Sequence, residues 1–227
     1  MKSYLNHGRV DLEDDQSELT KTESNPSRKR IILCVNRSLG EMELLQTKLR
    51  SFLAQLKLNG FEIIFIDLPE VSFDYKTISS TDIRADITKF LHRYGSDNEP
   101  RSFEGLVECY RERPHAHLYG MERLEDALAM PQIEKSELKK LVQENVVKAR
   151  NLINSILDRY DADFVGFLNF VDWFSIGGGP SSTLPVSFET KPPISIMLGS
   201  RVGNDLALLD IVQEFSEVAK AAQHTDN

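Results

Sequence analysis

The run Gly177-Gly178-Gly179-Pro180-Ser181-Ser182 is the stretch of this 227-residue chain whose composition most invites a chemical reading. Consecutive glycines can leave backbone N–H groups free to hold a developing oxyanion, and two hydroxyls follow directly. A serine, however, becomes a nucleophile only beside a base or with a depressed pKa. No histidine adjoins the run and the nearest lysine is Lys191, so any partner for Ser181 or Ser182 must be delivered by the fold. Gly178, Gly179, Pro180, Ser181 and Ser182 are therefore read as a plain glycine-rich connection ahead of a nucleophile loop.

The other candidates are weaker. His115 and His117 share a face only if they lie on a strand, yet they follow Pro114 in a segment that turns helical, and no third ligand has a telling spacing. Glu13, Asp14 and Asp15 lack the alternating oxygen pattern of a calcium loop. Phe170, Trp173 and Phe174 could wall a ligand, although aromatics at a strand end more often fill a core. Cys34 and Cys109 sit in no metal or redox spacing, and Cys34 falls within an apolar run where a thiol behaves as a small hydrophobe. The glycine triplet has neither the spacing nor the following helix of a phosphate or dinucleotide loop, so no cofactor and no metal is expected.

Charge narrows the partners. With 27 basic and 35 acidic residues the formal charge is −8, which opposes general binding to nucleic acid or to an anionic membrane. Arg28, Lys29 and Arg30 form the one tight basic cluster and precede an apolar run, which suits a solvated strand start better than a ligand site. Residues 1–27 have too few large apolar side chains to offset the entropy of ordering them, so a flexible polar tail is expected, followed by a single domain over 28–227. The N-terminus shows no apolar segment of signal-peptide or membrane-span length, and two isolated cysteines suit a reducing compartment; cytoplasmic residence is the expectation.

The elements that must hold these groups follow from periodicity. Ile31 to Val35 reads as a buried strand. Ser38 stands three residues before Glu41, the capping-box spacing. Met42, Leu45, Leu49, Phe52, Leu53 and Leu56 then give a helix one apolar face, which Asn59 and Gly60 end. A second strand covers 61–67, completing a strand–helix–strand unit whose crossover implies parallel pairing. Ile83, Ile87, Phe90, Leu91 and Tyr94 form a helical stripe. Ser102 caps a short helix that ends before Pro114. A long helix from Ser136 delivers the chain to a strand over 164–170, and another strand is expected over 193–198. The fold class is α/β, a mixed and mainly parallel sheet covered by helices.

Several of these segments resemble the C-terminal part of amidase-signature hydrolases. The pattern "G-x-P-S-x-T-x-P" is resembled by Gly179, Pro180, Ser181, Thr183 and Pro185. Pro193, Ile194, Ile196, Leu198, Gly199 and Arg201 are similar to the strand that follows it in the family, with Ser195 and Met197 as departures. Asp205, Leu208 and Leu209 fall where the family starts its last helix. The family's strand–helix–strand is resembled by Arg30-Ile31-Ile32-Leu33 and by the run from Gly60 to Pro69, and its next helices by 83–91 and 102–107. The resemblance implies carbon–nitrogen amide hydrolysis in the full family. It also implies that the catalytic Lys and two serines lie in an earlier half with no counterpart here, and that Gly178 to Ser182 form a substrate-facing turn.

Three readings follow. The first is a truncated or split amidase-like protein, inert on its own. The second is an interaction module that binds through an exposed sheet edge, its partner being a complementary amidase half or a second copy. The third, ranked last, is an independent serine hydrolase using Ser181 or Ser182.

Overall fold

The structure, a computed structural model, describes residues 29–36, 40–96, 99–113, 115, 120–131, 133–187 and 193–225. The expected tail, Arg28, Ser38, His117 and Lys191 lie outside the described residues. Five strands make one mixed sheet in the order β2-β1-β3-β5-β4: β1 (Lys29–Val35), β2 (Phe61–Asp67), β3 (Phe164–Phe167), β4 (Ser181–Ser187) and β5 (Ile194–Gly199). β1 is the centre of the parallel part, pairing Ile31 with both Ile63 and Phe164. β5 then runs antiparallel to β3 and to β4.

Alternation along β1 divides the core in two. Ile31, Leu33 and Val35 face one layer with Leu184, Val186, Ile196 and Leu198. That layer is covered by α1 (Glu41–Thr47), α2 (Arg50–Leu58) and α8 (Asp205–Thr225). Leu45, Leu49, Phe52 and Leu56 recur at spacings of four and three residues, so one stripe of the α1–α2 segment reaches the sheet. Phe52 and Phe61 each meet Phe215 of α8 edge-on. The expected single helix is broken at Leu49, whose backbone departs from helical geometry, yet its side chain stays in the stripe.

Ile32, Cys34, Val165, Phe167 and Met197 face the opposite layer, under α6 (Lys135–Arg159) and α7 (Trp173–Gly177). α6 presents Ala149, Ile153, Ile156 and Leu157 to it. Phe167 packs edge-on against both Trp173 and Phe174, so the core reading of these aromatics holds. Phe170, by contrast, is 73% exposed. The expected strand over 164–170 ends at Phe167, because the chain bends away into α7.

The remaining helices form a small body of their own: α3 (Tyr75–Tyr94), α4 (Phe103–Arg111) and α5 (Glu122–Ala129), closing on Phe103, Val107 and Ala127. Ser102 caps α4 by accepting the Gly105 N–H, as its position implies. Buried Asn145 of α6 pins the start of α3, accepting the Asp74 N–H at 2.9 Å and donating to the Leu141 carbonyl at 2.8 Å.

Candidate functional site

Short α7 ends at Gly178, whose φ of +71° is the left-handed conformation that glycine adopts without penalty. The Gly178 and Gly179 N–H groups both donate to the Phe174 carbonyl, closing the helix. Neither is left to hold an oxyanion. Arg150 of α6 locks the same turn by donating from Nε to the Gly177 carbonyl at 2.7 Å. Steric need explains two nearby glycines. A Cβ on Gly199 would lie 2.2 Å from the Phe174 ring, and one on Gly179 would stand 3.0 Å from the Ser200 carbonyl oxygen.

Ser181 and Ser182 do not sit in a loop. They open β4, a strand absent from the sequence reading, and pair with Gly199 and Leu198 of β5. Ser181 is exposed and Ser182 half-buried, and among the described residues neither hydroxyl is hydrogen-bonded to a lysine or histidine. Gly179 and Pro180 are half-exposed on the same edge, the Pro180 carbonyl accepting the Ser200 N–H at 3.2 Å. Gly178 to Ser182 thus line one end of the sheet's antiparallel edge.

A polar group shares that end. Ser200, fully buried, donates to the Asp163 carbonyl and accepts from Asn204 Nδ2, both at 2.7 Å. This ties the start of β3 to the end of β5 and the start of α8. Desolvation raises the Asp163 carboxyl above its usual range, with Arg201 opposing and Asp161 adding to the rise. Arg201 itself reaches Asp158 at 2.6 Å. Asp163 cannot serve Ser181 as a relay: β5 lies between β3 and β4, which puts their backbones roughly 10 Å apart.

At the opposite end of the sheet, the acid that capping-box spacing placed at a helix start is a buried carboxylate. Glu41 accepts the Asn36 N–H at 2.7 Å through one oxygen and Asn169 Nδ2 through the other. It bridges the C-terminal ends of β1 and β3, whose crossovers run over opposite faces. With both oxygens engaged it acts as a clamp rather than a base. Burial, with Glu41 adding to it, pushes the Cys34 thiol up to about 12, so Cys34 is no nucleophile.

Of the basic cluster, Lys29 and Arg30 are described, and both are structural. Arg30 donates to Glu62 at 2.8 Å and to the Tyr160 carbonyl at 3.0 Å, and Lys29 pairs with Glu214 at 2.5 Å. These residues are not simply solvated, as the sequence suggested; they bind β1 to β2, to the α6–β3 link and to α8. His115 is exposed, and among the described residues no three His, Cys, Asp or Glu side chains converge as for a metal. No described helix is long and apolar enough to cross a membrane.

No protein-family model and no curated protein matches the chain in sequence. Solved structures do match in shape. An amidase family protein from Bacillus anthracis str. Ames superposes with a TM-score of 0.71 at 16% identity, over 85% of this chain and 39% of that one. The native peptide amidase from Stenotrophomonas maltophilia gives 0.68 at 15% identity, over 86% and 44%. A fatty acid amide hydrolase gives 0.51 at 12% identity, over 85% and 40%. The chain is therefore an α/β protein with the fold of part of an amidase-signature enzyme. It spans about two-fifths of the length of the enzymes it resembles.

Proposed function

We propose that these 227 residues supply framework and cleft wall to an amide carbon–nitrogen hydrolase of the amidase-signature class, and hold no amide-hydrolysing centre of their own. The observation that carries this reading is the closed state of the Gly-Pro-Ser segment within an amidase fold: two glycine N–H groups committed to Phe174, and two serines on a strand with no base beside them among the described residues. Gly178, Gly179, Pro180, Ser181 and Ser182 then shape a wall, and hydrolysis requires a nucleophile and a lysine from polypeptide outside these residues. The purified chain is expected to turn over no member of a panel of primary amides and anilides above background. Turnover that disappears in Ser181→Ala or Ser182→Ala would establish an independent serine hydrolase instead. A cytoplasmic setting belongs to the same proposal, supported by the unpaired Cys34 and Cys109, and cell fractionation tests it.

A second reading rests on β2, an edge strand whose Phe65 is 37% exposed and whose Ile63, Ile64 and Ile66 are only half-buried. Such an edge offers backbone groups and apolar surface to another chain, either a complementary amidase half or a second copy. Sedimentation across a concentration series is expected to show self-association. A compact monomer at high concentration, with no dye-detectable apolar surface, overturns the reading.

A further inference from the structure

The last turns of α3 and α4 enclose an open cavity of about 400 Å³. Phe90, Leu91, Tyr94 and Gly95 form one wall. Leu106, Cys109, Tyr110 and Arg113, spaced three, one and three residues apart, form the other, with Glu99 and Pro100 at the link. That volume lies within the range of small-molecule sites, roughly 300–1,000 Å³, and the lining has their composition: aromatic and aliphatic, with few polar groups.

The two walls are joined by bonds between α3 and the start of α4. Phe103 N–H donates to Thr88 Oγ1 at 3.2 Å, Arg84 pairs with Glu104 at 2.5 Å, and the Ser102 cap fixes the start of α4. These bonds fix how the two helices meet at one end of the groove. Phe90 and Tyr94 stay 60% and 58% exposed although their rings stand only 5.1 Å apart. Two adjacent exposed rings facing a concave surface are what an apolar ligand would cover.

The charges select among such ligands. Glu99 already accepts the Ser96 N–H at 2.8 Å, and that bond, with Arg101 nearby, holds its carboxyl below the usual range. The Arg113 guanidinium, by contrast, forms no ion pair among the described residues, and its planar fork suits a carboxylate. We infer that this groove binds a small amphipathic carboxylate, its apolar body laid on Phe90, Tyr94 and Tyr110 and its carboxylate on Arg113.

Cys109 supplies a reporter inside the site. It is half-buried, whereas Cys34 is fully buried with its thiol pushed up to about 12, so a neutral maleimide modifies Cys109 first. The whole chain is labelled with N-ethylmaleimide and followed by intact mass, with 3-phenylpropionate or octanoate as probe and 3-phenylpropanamide as the neutral control. Either carboxylate is expected to slow labelling saturably, at least fivefold, with a midpoint on the order of 1 mM for ligands of this size. The amide is expected to need at least tenfold more. Arg113→Gln, an exposed change, is expected to leave the unliganded labelling rate within twofold and to abolish the preference for the acid. Equal protection by acid and amide, or unchanged protection in Arg113→Gln, removes Arg113 from the site and overturns the inference. No saturable protection by either carboxylate overturns it as well.

Discussion

The sheet and the α3–α5 body solve the same burial problem with different completeness. Every apolar position of β1 finds a layer to pack against, odd residues on one face and even residues on the other. The stripe on α3 is as regular, yet only its middle, around Ile87, reaches the Phe103–Val107–Ala127 cluster, while Phe90 and Tyr94 remain largely in solvent. Periodicity fixes which side chains share a face; it does not supply the partner for that face.

The widest split should come from matched phenylalanine truncations. Phe174 and Phe103 are both fully buried. Phe174→Ala, in the α6–α7 layer, is expected to cost about 3–5 kcal/mol of global stability in denaturant melts. Phe103→Ala is expected instead to open α3–α5 locally, with faster amide exchange there and protected amides across the sheet. Uniform loss of protection in both variants would show one cooperative unit and erase the distinction.

Glu41→Ala comes next. It leaves the Asn36 N–H and the Asn169 amide without their acceptor at the ends of β1 and β3, for an expected loss of about 2–3 kcal/mol. Thermal melts beside those of Glu41→Gln, which keeps one acceptor, measure it. Less than about 0.5 kcal/mol would mean the clamp is not needed.

Polar replacement of the exposed rings should do little. Phe90→Ser and Tyr94→Ser are each expected to shift stability by no more than about 1 kcal/mol, mostly through helix propensity. A larger loss would show that the stripe is packed after all.

The smallest effect is a pH dependence. Because desolvation raises the Asp163 carboxyl in the folded chain, its stability contribution is complete below the range where an unfolded aspartate titrates. It fades as pH rises through the higher folded value. Asp163→Asn should therefore be slightly more stable than the parent at pH 7, with the gain shrinking towards about pH 3. A loss at pH 7 would mean that the attraction to Arg201 outweighs burial.

Much of the fold was legible where local chemistry and long-range packing agree. The helical stripe through Leu45, Leu49, Phe52 and Leu56, the Ser102 cap and Gly60 at +83° are each fixed by neighbours a few residues away. β4 was not legible, because Ser181 to Ser187 contains Pro185, which removes a ladder donor and reads against a strand. It survives as an edge strand with a register shift between Pro185 and Ser187. At the candidate site, composition singled out Gly178 to Ser182 but not the two N–H bonds that close the turn. Glu41 was legible only as a capping-box acid three residues after Ser38; its tie to Asn169, 128 residues distant, was not. No spacing rule reaches that far.

The central position of β1 also sets a schedule for synthesis. β1 pairs early with β2, from Lys29 and Phe61 onward, but its other edge must await β3, and Ile31 and Phe164 are 133 residues apart. At about 5–20 residues per second, that edge stays open on the ribosome for on the order of ten seconds. Throughout that interval Ile32 and Cys34, which end up sealed beneath α6, face solvent on a nascent two-stranded ribbon, an obvious landing place for a chaperone or a neighbouring nascent chain.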